Sequence, residues 1–227
     1  MARFRILVGI RQVVTTAALL LVSWSVLIAT AHAGSAEKPQ TLVAFGDSLT
    51  AGFGLKPSQS FPAQLEVALR KAGRNVRVLN AGVSGDTTGA GLSRFDWAVP
   101  PDADAVILEL GANDALRGLP VADTKQNLNE ILVLLKEKSL PVLIAGFPSP
   151  SNWGDEYQVA FSEMFPKLAA QYNALHYPNF LDGVAQDPKL NLSDGLHPNA
   201  EGIAVIVERI LPTVLELLDR TAVAKSG

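Results

Sequence analysis

The chain has 227 residues, 48% of them hydrophobic, and a formal net charge of −3, which suits one folded domain plus a targeting segment and excludes a disordered chain. It contains no cysteine, so disulfides, thiol catalysis, cysteine-based metal sites and a lipid-anchored N-terminus are excluded. Residues 1–33 hold three arginines and no acid, leaving −6 on the remainder, a balance that disfavours nucleic acid and anionic membrane surfaces as partners.

The first segment carries Arg3, Arg5 and Arg11, an apolar run over 13–30, and then Ala31-His32-Ala33. This is the pattern of a signal peptide cleaved after Ala33, which predicts a periplasmic or secreted protein. The run is long enough that an uncleaved membrane anchor is the alternative. Residues 34–40 read as a polar linker, 41–219 as one domain and 220–227 as a C-terminal tail.

From residue 41, apolar runs of strand length alternate with segments of helical period, the signature of crossover units and a parallel sheet. Strands are predicted at 41–45, 76–81, 105–110, 141–147 and 174–179. Helices are predicted at 61–72, 87–99, 123–138, 155–172 and 199–219, the last kinked at Pro212. The fold class is therefore α/β, a three-layer α/β/α sandwich around a mostly parallel five-stranded sheet. Open sheets of this kind bind ligands at the carboxyl ends of their strands, and the segments that follow each strand deserve the closest reading.

After the first strand comes Gly46-Asp47-Ser48-Leu49-Thr50-Ala51-Gly52, with a serine at the strand-to-helix turn. After the second lies Asn80-Ala81-Gly82-Val83-Ser84-Gly85-Asp86, and after the third Gly111-Ala112-Asn113-Asp114. Each alone reads as a cap or a turn. The fourth segment, Ser193-Asp194-Gly195-Leu196-His197-Pro198-Asn199, sets an acid and a histidine three residues apart on one loop. A serine hydroxyl needs a neutral imidazole to take its proton, and the imidazole needs a carboxylate on its other nitrogen. Ser48, His197 and Asp194 supply that set. Ser48 N–H, Gly82 N–H and the Asn113 amide would bind an oxyanion. His176, inside a predicted strand, reads as structural. Because the base must be neutral, the rate should fall as pH drops through roughly 6–7, the ordinary histidine range.

Taken together these blocks resemble the SGNH, or GDSL, hydrolases, named for the four residues that stand here as Ser48, Gly82, Asn113 and His197. The resemblance spans essentially all of 41–219 and implies a flavodoxin-like fold and serine ester hydrolysis. Within the family the chain is most similar to bacterial periplasmic multifunctional acyl thioesterases, arylesterases and lysophospholipases, through Gly46-Asp47-Ser48-Leu49, Ser84-Gly85-Asp86-Thr87, Asn113-Asp114-Ala115-Leu116-Arg117-Gly118 and Asp194-Gly195-Leu196-His197-Pro198-Asn199. Ala112 and Ala115 stand where the family commonly has glycine. The resemblance implies that this loop moves on substrate binding, so fewer glycines mean a stiffer loop.

Leu116, Leu119, Pro120, Phe147, Trp153 and Tyr157 are candidates for an acyl groove. Asp47, Asp86 and Asp114 read as structural buttresses, and Arg117 as a solvated loop residue or a contact for an anionic substrate group. Position 50 is threonine, so no Gly-x-Ser-x-Gly elbow exists. No nucleotide-binding or zinc motif is present, and no cofactor, metal or stable protein partner is expected. The expected substrates are small-molecule esters and lipids with apolar acyl groups. Two alternatives stay open: a carbohydrate O-acetyl esterase of the same fold, against which the apolar stretch 116–120 argues, and a non-catalytic envelope binding protein.

Overall fold

The computed structural model describes residues 38–224; residues 1–37, where the signal peptide or anchor and most of the linker are expected, and residues 225–227 lie outside them. The five apolar runs form β1 (Gln40–Gly46), β2 (Val76–Gly82), β3 (Ala105–Glu109), β4 (Val142–Ala145) and β5 (Leu175–Tyr177). They pair in the order β2-β1-β3-β4-β5, and every pairing is parallel. The burial of the strands follows their position. Central β1, β3 and β4 are buried and hold apolar runs over 42–45, 105–108 and 142–145, whereas edge strand β2 admits Arg77 and Asn80.

The helices are α1 (Ser48–Ala51), α2 (Phe61–Lys71), α3 (Thr88–Ser93), α4 (Phe95–Ala98), α5 (Ala112–Leu116), α6 (Val121–Glu137), α7 (Asp155–Tyr172) and α8 (Ala200–Ala224). The chain steps from β1 to β2 in one direction and then back past β1 to β3, β4 and β5. Right-handed crossovers therefore put α2 on the face opposite α3, α6 and α7. The packing agrees: α2 lies against α8, and α3, α6 and α7 lie side by side. Thr124, Leu128, Ile131, Leu132 and Leu135 bury the inner stripe of α6, and Phe161, Met164, Phe165 and Leu168 that of α7. The direction of the connections reverses between β1 and β3, the kind of switch point at whose carboxyl ends open sheets bind ligands.

Four expectations need correction. The helix expected over 87–99 is two helices broken at Arg94, because that residue is buried and its guanidinium bonds to Gly46 O at 2.9 Å and Asp86 at 2.5 Å. The last helix continues through Pro212 to Ala224, so 220–224 is not a loose tail. Buried Thr221 accepts a 2.6 Å hydrogen bond from Gln40 Nε2, which ties the end of the chain to the start of β1 and carries that strand one residue into the expected linker. The strand expected over 141–147 ends at Ala145, because Gly146 turns to exchange backbone hydrogen bonds with Tyr177 O and Phe180 N. Among the described residues no helix is long and apolar enough to cross a membrane.

Candidate active site

The turn that carries Ser48 is built by its neighbours. Asp47 caps α1, its Oδ1 accepting from Leu49 N at 3.0 Å, and Gly52 closes it in the left-handed region at φ 83°. Ser48 occupies the first helical position and is 9% exposed. Its N–H has no hydrogen bond to protein among the described residues, as the first turn of a helix leaves it.

The loop before α8 is pinned by an antiparallel bridge between Asn191 and Pro198 and by Leu192 N donating to His197 O at 2.7 Å. Inside it, Asp194 Oδ1 accepts from the backbone N–H groups of Leu196 at 2.9 Å and His197 at 3.0 Å. Asp194 Oδ2 faces His197 Nδ1 at 2.7 Å, and His197 Nε2 faces Ser48 Oγ at 2.9 Å. These contacts hold the Asp194 carboxyl down at about 2, the His197 N–H first among them. Phe53, which sequence reasoning passed over, lays its ring 4.5 Å from the His197 ring at 36°. It is the residue just beyond the turn glycine Gly52, and its apolar character was the only signal.

The other blocks converge on the same turn. Gly82 abuts α1: a Cβ there would stand 2.3 Å from Ala51 N and 2.8 Å from Asp47 O, so this close approach requires glycine. Its N–H is turned onto Asn80 Oδ1 at 3.0 Å. The Asn113 amide donates to Asp47 Oδ2 at 2.9 Å and to Asp86 O at 3.0 Å. Asp86 in turn pairs with buried Arg94. Asp114 accepts from Thr88 N at 2.9 Å and Thr88 Oγ1 at 2.6 Å, joining α5 to α3. A chain of buried polar groups thus links the ends of β1, β2 and β3.

Two carboxyls in this chain are shifted upward. Burial pushes Asp47 up to about 6 against the pull of the Leu49 N–H and the Asn113 amide. Burial, then the charge of Asp47, raises Glu109 well above the usual range. A group whose folded-state value is raised keeps its proton in the folded protein at a pH where the unfolded chain has lost it. Stability from Asp47 is therefore complete below about pH 4 and declines as pH climbs through about 6, by at most about 1.4 kcal/mol per pH unit, and that from Glu109 declines in the same direction. Urea midpoints measured from pH 4 to 8 should fall across this window, against the opposite trend set by Asp194 below it.

The groove candidates divide. Leu116 and Trp153 are exposed and neighbouring, since Trp153 Nε1 donates to Ala115 O at 2.7 Å. Tyr157 OH donates to Leu119 O at 3.0 Å, and Pro120 is exposed before α6. At Gly118, φ is 62° and a Cβ would stand 2.6 Å from the Trp153 ring. The loop is thus fastened to the 151–157 segment by two aromatic side chains. Phe147 is a correction: it is 5% exposed, packed against the rings of Phe165 and Phe180, and belongs to the core. Arg117 donates to Gly85 O at 2.8 Å, a tie between loops. His176 lies on β5, near Gly146 and Phe165. Among the described residues no group of three or more potential metal ligands comes together.

A serine, histidine and aspartate stand in hydrogen-bonded series at the carboxyl edge of a parallel sheet, the arrangement that acyl transfer requires, on a three-layer α/β/α architecture. Residues 44–205 match the GDSL-like lipase/acylhydrolase family, and the chain belongs to that family. It is similar to the arylesterase of Vibrio mimicus, 35% identical over 185 residues that cover 81% of this chain and 92% of the relative. Thioesterase 1/protease 1/lysophospholipase L1 of Escherichia coli is 35% identical over 174 residues, covering 76% and 82%. The crystal structure of AlinE4, an SGNH-hydrolase family esterase, shares 44% identity and a TM-score of 0.67 over 79% of this chain and 97% of that one. The chain is accordingly an enzyme acting on ester bonds of small-molecule substrates.

Proposed function

We propose that Ser48, His197 and Asp194 form the catalytic triad of an esterase for carboxylic esters and thioesters with apolar acyl groups: aryl esters, lysophospholipids and acyl thioesters. The unbroken series from Ser48 Oγ through both ring nitrogens of His197 to Asp194, at 2.9 and 2.7 Å, carries this proposal. Ser48 attacks the carbonyl carbon while His197 Nε2 takes the hydroxyl proton and then delivers it to the leaving group, and water repeats the sequence to free the acid.

The unshared N–H of Ser48 is the first oxyanion donor. Asn113 and Gly82 become donors when the developing charge competes with Asp86 O and Asn80 Oδ1 for their hydrogens, an exchange that favours the transition state because only there is the oxygen fully charged. Leu116 and Trp153, with exposed Leu196 and with exposed Phe53 beside His197, supply apolar surface for the acyl and leaving groups. The export pattern of residues 1–33 supports action outside the cytoplasm, on lysophospholipids and soluble esters rather than on cytoplasmic thioesters.

A p-nitrophenyl ester series of increasing acyl length tests this directly. Turnover with a preferred chain length is the expected result. Activity confined to acetylated sugars would favour the carbohydrate esterase, and folded protein with no turnover on any ester would favour a binding protein.

A further inference from the structure

We propose that Glu109 is held as the neutral acid beneath the nucleophile turn and positions Ser48 from below; the proposal rests on Ser48 being the nucleophile. Glu109 ends β3 and is wholly buried. It sits in register with Gly46 across the β1–β3 pair, where the missing side chain makes room for it: a Cβ on Gly46 would stand 2.3 Å from Glu109 Oε2. That oxygen accepts from Asp47 N at 3.3 Å and lies 2.5 Å from Thr50 Oγ1, which donates to it as a carboxylate and accepts from it as the protonated acid. These partners lie one residue before Ser48 and two after it. A single side chain therefore fixes both flanks of the nucleophile, and with them the outward direction of its N–H.

The surroundings favour the neutral form. Glu109 Oε1 is buried without a hydrogen-bond partner, tolerable for an acid carbonyl and costly for a carboxylate. From the turn, Glu109 faces the Asp47 carboxyl. From the 83–94 segment come Asp86 and Arg94, but the Arg94 guanidinium donates to Asp86 Oδ2 and Gly46 O and makes no ion pair with Glu109. Thr50 on α1 gives only a hydroxyl and an N–H, and His197, paired with Asp194, engages Ser48 through its Oγ. No cation is thus paired with Glu109 among the described residues. Neutrality also serves the reaction, because a carboxylate here would repel the oxyanion forming at the Ser48 N–H in a medium that screens poorly.

Infrared spectra and kinetics of the whole protein test the proposal. At about pH 8 Asp47 is ionised, and the parent should still show a buried carboxylic-acid carbonyl band that Glu109→Gln removes. Glu109→Gln, neutral at every pH, should keep kcat within about threefold, whereas Glu109→Leu should lose about 10- to 100-fold in kcat with KM within about twofold. A parent without the band, or a band that survives Glu109→Gln, overturns the proposal. So does a Leu variant as fast as the parent, or a Gln variant as slow as the Leu one. If Glu109→Gln does not fold, the band in the parent decides alone. Ser48→Ala is assayed in parallel: full activity there removes the nucleophile reading, a failure distinct from loss of the acid band.

Discussion

Alanine at Ser48 should lower kcat by about 10⁴-fold or more, alanine at His197 by a comparable factor, and both together by no more than either alone. The shared loss follows from the geometry. Ser48 Oγ meets His197 Nε2 at 2.9 Å, so the hydroxyl without the base keeps its proton and the base without the hydroxyl has none to take. Each replacement disables the same step, and the second has nothing left to remove. What survives is the binding and oxyanion stabilisation supplied by backbone N–H groups and Asn113. Neither change should unfold the protein, since alanine suits α1 at position 48 and the backbone bonds of Asp194 to Leu196 and His197 do not depend on the imidazole. Steady-state hydrolysis of a p-nitrophenyl ester by the purified single and double variants, with circular dichroism as the folding control, reads all three values. Losses that multiply in the double variant would mean that the two side chains act in separate steps.

The elements of this site were legible in the sequence because chemistry restricts them to a few residue types. The strands that carry it were legible because burial on both faces forces unbroken apolar runs. The contacts that hold the site in shape were not. Arg94 falls where helical period alone expects an exposed position, yet its guanidinium reaches back to the end of β1 and breaks the helix. No local pattern encodes that pull, because it comes from a carbonyl 48 residues away. Glu109 closes the apolar run of β3, and nothing in the run itself distinguishes a charged residue beyond the strand from an acid buried beneath a turn. Phe147, at the end of the predicted fourth strand, is a groove candidate in the sequence, and the short β4 instead returns it to the core against Phe165. Gly82 was read for its N–H, while the structure shows that its lack of a side chain is what α1 requires.

Replacing Asp194 with asparagine should cost about 10⁴-fold in kcat while leaving KM and the fold nearly unchanged. The argument turns on which way the new amide faces. At present Oδ1 accepts two backbone N–H groups and Oδ2 faces His197 Nδ1. Asparagine has one acceptor oxygen, and the two fixed N–H donors claim it, since an NH₂ group turned towards them would set donor against donor. The Nδ2 group then points at His197 Nδ1 and donates to it. The imidazole must accept there, so its proton moves to Nε2, the nitrogen that has to receive the proton of Ser48. The ring keeps its place beside Phe53, and the base is lost through its tautomer alone. Nitrogen-15 chemical shifts of His197 should show the proton on Nδ1 in the parent and on Nε2 in Asp194→Asn. An unchanged tautomer with the same kinetic loss would instead assign Asp194 a role in stabilising the imidazolium that forms after proton transfer.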